Sequence, residues 1–428
     1  MKITRAYACT AVTALAVSLS GAATTSATAS PAPGQSAPAA GSTGPDQAAL
    51  KRILDKLPDD WQQRRQDAME RAGIEESPFQ RAVMSHLTQR LSKRQLNTLG
   101  IDPGDYECGE TQLDAYIDST LEDVDETTLL LLSMYGALDI PAYDAILHGT
   151  QGDAQHPLPS GSEQALTTTF NAASRFWDVR LNNVQLMGMD GEVLTDLNRS
   201  ASTIEWMYDL GPADAVLMAE EIKELVEQDP ALKDGAHPIF TMNAFAFSPE
   251  GESDPDIANQ PPKMIFGSGI IDAMKALDLN KVGTKSILGH EMAHHVQYQD
   301  DLFDSPLTGP EATRRTELMA DAFGTYFLVH KKGMGFNPTQ TLKTEKAFYN
   351  VGDCSFDSDG HHGTPNQRQA ASAWGAATVA YADNPMRALP SLTLAERFDD
   401  ALPLIVKPDA PETVNEYRSL IQKQELVR

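Results

Sequence analysis

Two histidines four residues apart, His290 and His294, with a glutamate directly after the first, constrain this chain more than any other feature. Along an α-helix, four residues turn through about 400°, so both imidazoles project from one face, one turn apart. This geometry suits two ligands of a tetrahedral zinc ion, and it leaves Glu291 where a carboxylate can take a proton from water. The alternative is a coincidental pair of histidines on a helix surface.

The residues around this motif favour a buried, metal-binding helix. A solvated helix would carry more Lys and Glu than this segment does. Buried imidazoles need partners, and a metal ion supplies one for each ring. His295 lies about 100° around the helix from His294, away from the metal face, so we interpret it as a packing residue. The apolar neighbours are Ile287, Leu288, Met292, Ala293 and Val296.

A second amphipathic helix, predicted over 314–328, offers the third ligand that a catalytic zinc normally has. Glu317 and Asp321 are four residues apart and share its polar face. Glu317 can be the carboxylate ligand. Asp321, one turn further, can accept the free ring N–H of a ligand histidine and so fix its tautomer. The alternative is an exposed acidic face on which Arg314 pairs with Glu317.

The H-E-x-x-H motif followed by E-x-x-x-D resembles the gluzincin metallopeptidases, especially the HtpX-like group and the bacterial neutral zinc metallopeptidases. Three further segments are similar to that group, in the same order along the chain. They are an N-A-F strand at 243–247, a following strand with a glycine-containing turn at 263–271, and an H…R segment at 361–368. The pairing of the two motifs is the specific part of the resemblance.

The resemblance implies one zinc ion on His290, His294 and Glu317, with Glu291 as general base and acid. It implies that Asp321 supports His290 and that His362 donates a hydrogen bond to the oxyanion of the reaction, where His361 is an equal candidate on spacing. The alternative is that these are ordinary loop histidines. We expect Arg368 to form an ion pair with a buried carboxylate.

The expected fold is α+β, a zincin-like core with a small sheet and two zinc-binding helices. The strand that contains Asn243, Ala244 and Phe245 is expected at a sheet edge, where it can bind an extended peptide by strand addition. A two-residue turn at Asp190-Gly191 predicts a hairpin between strands on either side of it.

The organisation of the chain is predicted from composition. The expected parts are a secretory signal peptide at 1–29, a flexible leader at 30–45, a helical module at 46–148, a linker at 149–162 and the metallopeptidase domain at 163–428. Cys108 and Cys354 either form a disulfide or remain two buried thiols. The net charge of −26 disfavours nucleic acids as partners, and no apolar run after the signal peptide is long enough to span a membrane.

These patterns together predict a secreted zinc endopeptidase that acts on proteins or peptides. Two alternatives stay open. One is a catalytically silent zinc protein that recruits partners, and the other is a zymogen whose helical module blocks the cleft.

Overall fold

The structure is a computed structural model that describes residues 57–73, 86, 111–353 and 360–426. Within these ranges the protein is mostly helical and contains one three-stranded mixed sheet, so its class is α+β in the broad sense expected. The predicted signal peptide and leader, and both Cys108 and Cys354, lie outside the described residues.

Among the described residues, five helices precede the sheet along the chain. Polar side chains begin two of them, since Thr111 forms a capping box with Asp114 and Asp125 accepts a hydrogen bond from the Thr128 backbone. The helices are α1 (Trp61–Ala72), α2 (Gln112–Leu121), α3 (Glu126–Met134), α4 (Ile140–Leu147) and α5 (Glu163–Phe176).

The segment 149–162, between α4 and α5, is held against the rest of the protein. His156 is buried, and its two ring nitrogens face carboxylate oxygens of Asp144 at 2.8 Å and Asp153 at 3.0 Å. The backbone carbonyl of His156 accepts a hydrogen bond from the Gly188 amide. Buried apolar residues before and after this segment belong to one continuous hydrophobic core.

The sheet contains β1 (Gln185–Met189), β2 (Ala244–Phe247) and β3 (Lys263–Gly267) in the order β1-β3-β2. β1 pairs with β3 in parallel and β2 pairs with β3 in antiparallel orientation. The hairpin predicted at Asp190-Gly191 is wrong. A 3₁₀ helix, Gly191–Thr195, follows β1 instead, because β1 finds its partner about 75 residues further along the chain.

In addition to the 3₁₀ helix Gly191–Thr195, three helices and two short 3₁₀ segments connect these strands. They are α6 (Leu197–Tyr208), α7 (Pro212–Gln228), the single turn α8 (Pro255–Ala258), and the 3₁₀ segments Pro230–Gly235 and Pro238–Thr241.

β2 is an edge strand, and Asn243 lies immediately before it. The carbonyl of Asn243 accepts a hydrogen bond from the Gly267 amide, which extends the pairing by one residue. Backbone groups in an antiparallel pair alternate between the partner and the open side. Those of Ala244 and Ala246 are therefore directed to the outer edge, where a further strand can pair.

In the part of the chain that the structure describes, seven helices follow β3, and the H-E-x-x-H motif lies on the second of them. α10 packs against α5, α11, α12 and β2, whereas α13 covers α11. The helices are α9 (Ser268–Ala276), α10 (Asn280–Gln299), α11 (Pro310–Val329), α12 (Pro338–Asn350), α13 (Pro365–Ala380), α14 (Ser391–Ile405) and α15 (Arg418–Leu426).

α10 and α11 approach each other backbone to backbone at Gly289 and Gly324. A Cβ atom added at Gly324 would lie 2.8 Å from the Gly289 carbonyl carbon and 2.8 Å from the His290 nitrogen. A Cβ atom added at Gly289 would lie 3.3 Å from the nearest atoms of Gly324. The absence of side chains at both positions therefore allows the spacing that brings the polar faces of the two helices together.

We expect Gly324→Ala to lower the free energy of unfolding by roughly 1–3 kcal/mol, because the new methyl group overpacks the helix crossing. Gly289→Ala should lower the free energy of unfolding much less, because its added methyl group meets a milder contact. The better helix propensity of alanine, worth about 0.5–1 kcal/mol, offsets that contact. Urea denaturation with excess chelator measures both. Equal losses in the two variants would contradict this account of the crossing.

Candidate metal centre

Two ring nitrogens and one carboxylate converge between α10 and α11. The Nε2 atoms of His290 and His294 are 3.0 Å apart. Each lies 3.2 Å from an oxygen of Glu317. Zinc–ligand distances of about 2.0–2.1 Å place tetrahedral ligands about 3.3 Å from one another, so the three distances match one face of a zinc site. The cluster is buried and could hold a metal ion.

The tautomers of both histidines follow from the second nitrogen of each ring. His290 Nδ1 lies 2.8 Å from Asp321 Oδ1, and His294 Nδ1 lies 2.8 Å from Gln297 Oε1. The Gln297 side-chain amide donates to the Thr316 carbonyl, so its oxygen faces the ring as an acceptor. Both Nδ1 atoms are thus donors, so each Nε2 atom can hold either a proton or a metal ion beside the carboxylate. Such a cluster favours a bound cation.

Asp321 is fully buried and shared between His290 and Arg368. The guanidinium donates to both of its carboxylate oxygens at 2.8 Å, and this bidentate contact is the ion pair predicted for Arg368. The same guanidinium lies 3.6 Å from Glu317 Oε2. Arg368 therefore holds Asp321 in place and also balances part of the negative charge beside the metal ligands.

The acid–base properties of the cluster reflect its buried charges. Burial alone lowers the pKa of His290, but hydrogen bonds to Asp321 and Glu317 raise it to about 10. Burial raises the pKa of Glu317, but the nearby His294 and His362 hold it well below its usual range. The carboxylate is therefore ionised, and a metal ion that binds here replaces a proton on His290.

Glu291 is buried in the same electrostatic environment. Burial raises its pKa, the histidines of the cluster lower it, and the Glu317 carboxylate raises it. A carboxylate with a raised pKa beside a metal centre accepts a proton more readily than an exposed one.

The Asp353 carboxylate contacts both His361 and His362. It faces the ring of His361 and accepts a hydrogen bond from the backbone amide of His362. Asp353 Oδ1 lies 2.6 Å from His361 Nδ1, and Oδ2 accepts the His362 amide at 2.8 Å and lies 3.4 Å from His362 Nδ1. His362 is close enough to Glu317 to lower the pKa of that carboxyl group. His362 is thus within electrostatic range of the Glu317 carboxylate.

Three residues that support the site were not identified from the sequence. Gln297 lies three positions after His294 on the same helix, so helical spacing could have identified it. Thr316 contributes only a backbone carbonyl, which any residue can provide. Asp353 is in a loop, and no periodic pattern marks it.

His295 is not part of the cluster. Its Nε2 lies 3.0 Å from the Lys263 carbonyl, and burial lowers the pKa of the ring to about 3. It packs α10 against the start of β3, in agreement with the packing role predicted for it.

Comparison with protein-family models, with curated proteins and with solved structures finds no match to this chain. The interpretation of the site therefore depends on its own geometry. Among the described residues, no helix combines the length and apolar character needed to cross a bilayer.

We expect His294→Ala and Glu317→Ala each to reduce bound zinc from about one ion per chain to near zero, because two ligands seldom retain zinc. His148→Ala and Glu311→Ala are matched controls, since both residues are exposed and lie outside the cluster. Metal analysis after dialysis measures occupancy. Full occupancy in either test variant would exclude that ligand.

Proposed function

We propose that this protein is a zinc-dependent endopeptidase of the gluzincin type with a zincin-like core. The observation that carries the proposal is the convergence of His290, His294 and Glu317, with Glu291 buried beside them. Three protein ligands leave a fourth tetrahedral position for water or substrate, which is the pattern of catalytic rather than structural zinc.

Zinc fits this donor set better than calcium or magnesium does. Calcium and magnesium prefer six or more oxygen ligands, whereas two imidazoles and one carboxylate are typical of hydrolytic zinc sites. A zinc ion bound here would supply Lewis-acid activation of water and of the scissile carbonyl.

Glu291 carries the proton transfers in this proposal. It takes a proton from the attacking water and then returns it to the leaving amine, which needs a carboxylate that is neither ion-paired nor strongly acidic. The raised pKa of Glu291 suits both steps, because a proton taken from water is held long enough to be passed on.

His362 would donate a hydrogen bond to the oxyanion that forms as water attacks the carbonyl. The Asp353 carboxylate accepts the His362 backbone amide and lies 3.4 Å from His362 Nδ1, which positions this residue. A donor placed in advance at that position stabilises charge that develops only in the transition state.

The open edge of β2 supports a peptide as the substrate. α10 packs directly against β2, so a chain paired with Ala244 and Ala246 would run beside the helix that carries His290 and His294. Strand addition binds backbone groups and is therefore independent of most of the substrate's sequence. Secretion is proposed on the basis of the N-terminal sequence alone.

A catalytically silent zinc protein is the main rival to this proposal. The two functions differ in one inexpensive assay, namely the cleavage of an unstructured protein such as casein. Cleavage that a chelator abolishes and added zinc restores supports the peptidase, and no cleavage by the zinc-loaded protein rejects it.

We expect Glu291→Gln to keep its zinc but to lower kcat for casein cleavage by roughly 10²–10⁴-fold, because the amide cannot accept the proton. Glu311→Gln, at an exposed position of α11, should leave kcat unchanged. Zinc content and initial rates are measured on the same preparations. Undiminished turnover in Glu291→Gln would reject the assigned role.

We expect His362→Asn to lower kcat by about 10²–10³-fold with little change in KM or zinc content, since it removes a donor used only in the transition state. His361→Asn should reduce kcat by less than about tenfold, through its effect on Asp353 alone. Steady-state kinetics of both variants test the assignment. A larger loss for His361→Asn would transfer the role to that residue.

A further inference from the structure

A cavity of about 240 Å³ lies beside α10, one helical turn beyond His294. It lies between the C-terminal half of this helix and the end of the sheet at which β2 ends and β3 begins. Six of the residues that line it are Leu181, Val184, Pro249, Pro262, His295 and Tyr298. None of these residues takes part in the proposed reaction.

Aromatic contacts link the lining of the cavity to the proposed metal centre. The ring of Tyr298 stacks on Phe303 at 4.6 Å between centroids, and Phe303 stacks on the proposed ligand His294 at 6.5 Å. Ser248, which also lines the cavity, directly follows the last residue of β2. A peptide that pairs with the edge of β2 would therefore reach the cavity where this strand ends.

The charges around the cavity favour a neutral occupant. Arg180 and Glu250 both line it and are both exposed, so their opposite charges largely cancel in the surrounding solvent. The walls provided by Leu181, Val184 and Pro262 are apolar. A charged side chain would lose hydration against these walls, and pairing with an exposed Arg180 or Glu250 would return little of that free energy.

His295 provides a defined hydrogen-bonding group in this apolar lining. Its Nε2 faces the Lys263 carbonyl at 3.0 Å, and a carbonyl can only accept, so Nε2 carries the hydrogen. The other ring nitrogen, Nδ1, is then a lone-pair acceptor. The lining thus combines apolar walls with an acceptor, which suits an occupant that is apolar along most of its length and ends in a donor.

We propose that this cavity is a substrate subsite that binds the side chain of tyrosine or tryptophan. Both combine a large apolar ring with a single O–H or N–H donor. The volume corresponds to roughly eight water molecules at about 30 Å³ each, enough for an aromatic side chain. This subsite would belong to the proposed endopeptidase, and it rests on that function only because a peptide is taken as its ligand.

The test measures binding rather than cleavage, with zinc-loaded Glu291→Gln protein. The probes are capped pentapeptides of alanine that carry Tyr, Phe or Ala at the central position, titrated by calorimetry. We expect the Tyr peptide to bind about 3–10-fold more tightly than the Phe peptide, the range for one neutral hydrogen bond. The Phe peptide should in turn bind more tightly than the Ala peptide.

A second variant tests whether this preference arises in the cavity. Ala258 is exposed at the end of α8 and lines the cavity, so Ala258→Trp fills the mouth without disturbing the core. It should reduce the affinity for the Tyr peptide to that for the Ala peptide. Ala213→Trp, at an exposed position of α7 that does not line the cavity, is the matched control and should retain the preference.

Equal affinities for the three peptides, an unchanged preference in Ala258→Trp, or no binding of any peptide would each overturn the subsite. Failure of the proposed function is a separate result. It would appear as Tyr-selective binding, sensitive to Ala258→Trp, in a protein whose unsubstituted form cleaves nothing when loaded with zinc.

Discussion

The close approach of α10 and α11 at Gly289 and Gly324 is the constraint on which the candidate site depends. His290 follows the first glycine directly, and Asp321 precedes the second by three residues. Because the backbones nearly touch, a ring on one helix reaches a carboxylate on the other at 2.8 Å. Larger residues at the crossing would separate the helices, and short side chains could no longer meet one ion.

Charge balance is the second property of the site. Glu317, Asp321 and Glu291 are all buried, and Arg368 is the buried cation that contacts two of them. Buried carboxylates are costly unless they are paired, so the cluster needs a positive charge besides Arg368, which either a proton on His290 or a metal ion supplies. A divalent cation held by His290, His294 and Glu317 would replace that proton, and in the proposed function the same ion would supply the reactivity for hydrolysis.

The rest of the fold positions α10 through contacts that are distant in sequence. Lys263, at the start of β3, is fully buried, and its ammonium group donates to the carbonyls of Ala145 and Gly149 at the end of α4. Its own carbonyl faces His295, the neighbour of a proposed ligand. Helices from the N-terminal half of the chain are thereby linked to the helix that carries the motif.

Helical spacing was sufficient to identify His290, Glu291, His294, Glu317 and Asp321 as candidates, since residues four apart share a face whatever surrounds the helix. The same rule could have added Gln297. Pairing between distant segments has no such local signature, so the hairpin at Asp190-Gly191 was predicted where β1 in fact joins β3. Packing between elements likewise decides three other features: the position of Asp353, the choice of Asp321 as the partner of Arg368, and the cavity beside Tyr298. Contacts across a folded core are set by the whole chain rather than by neighbours in sequence.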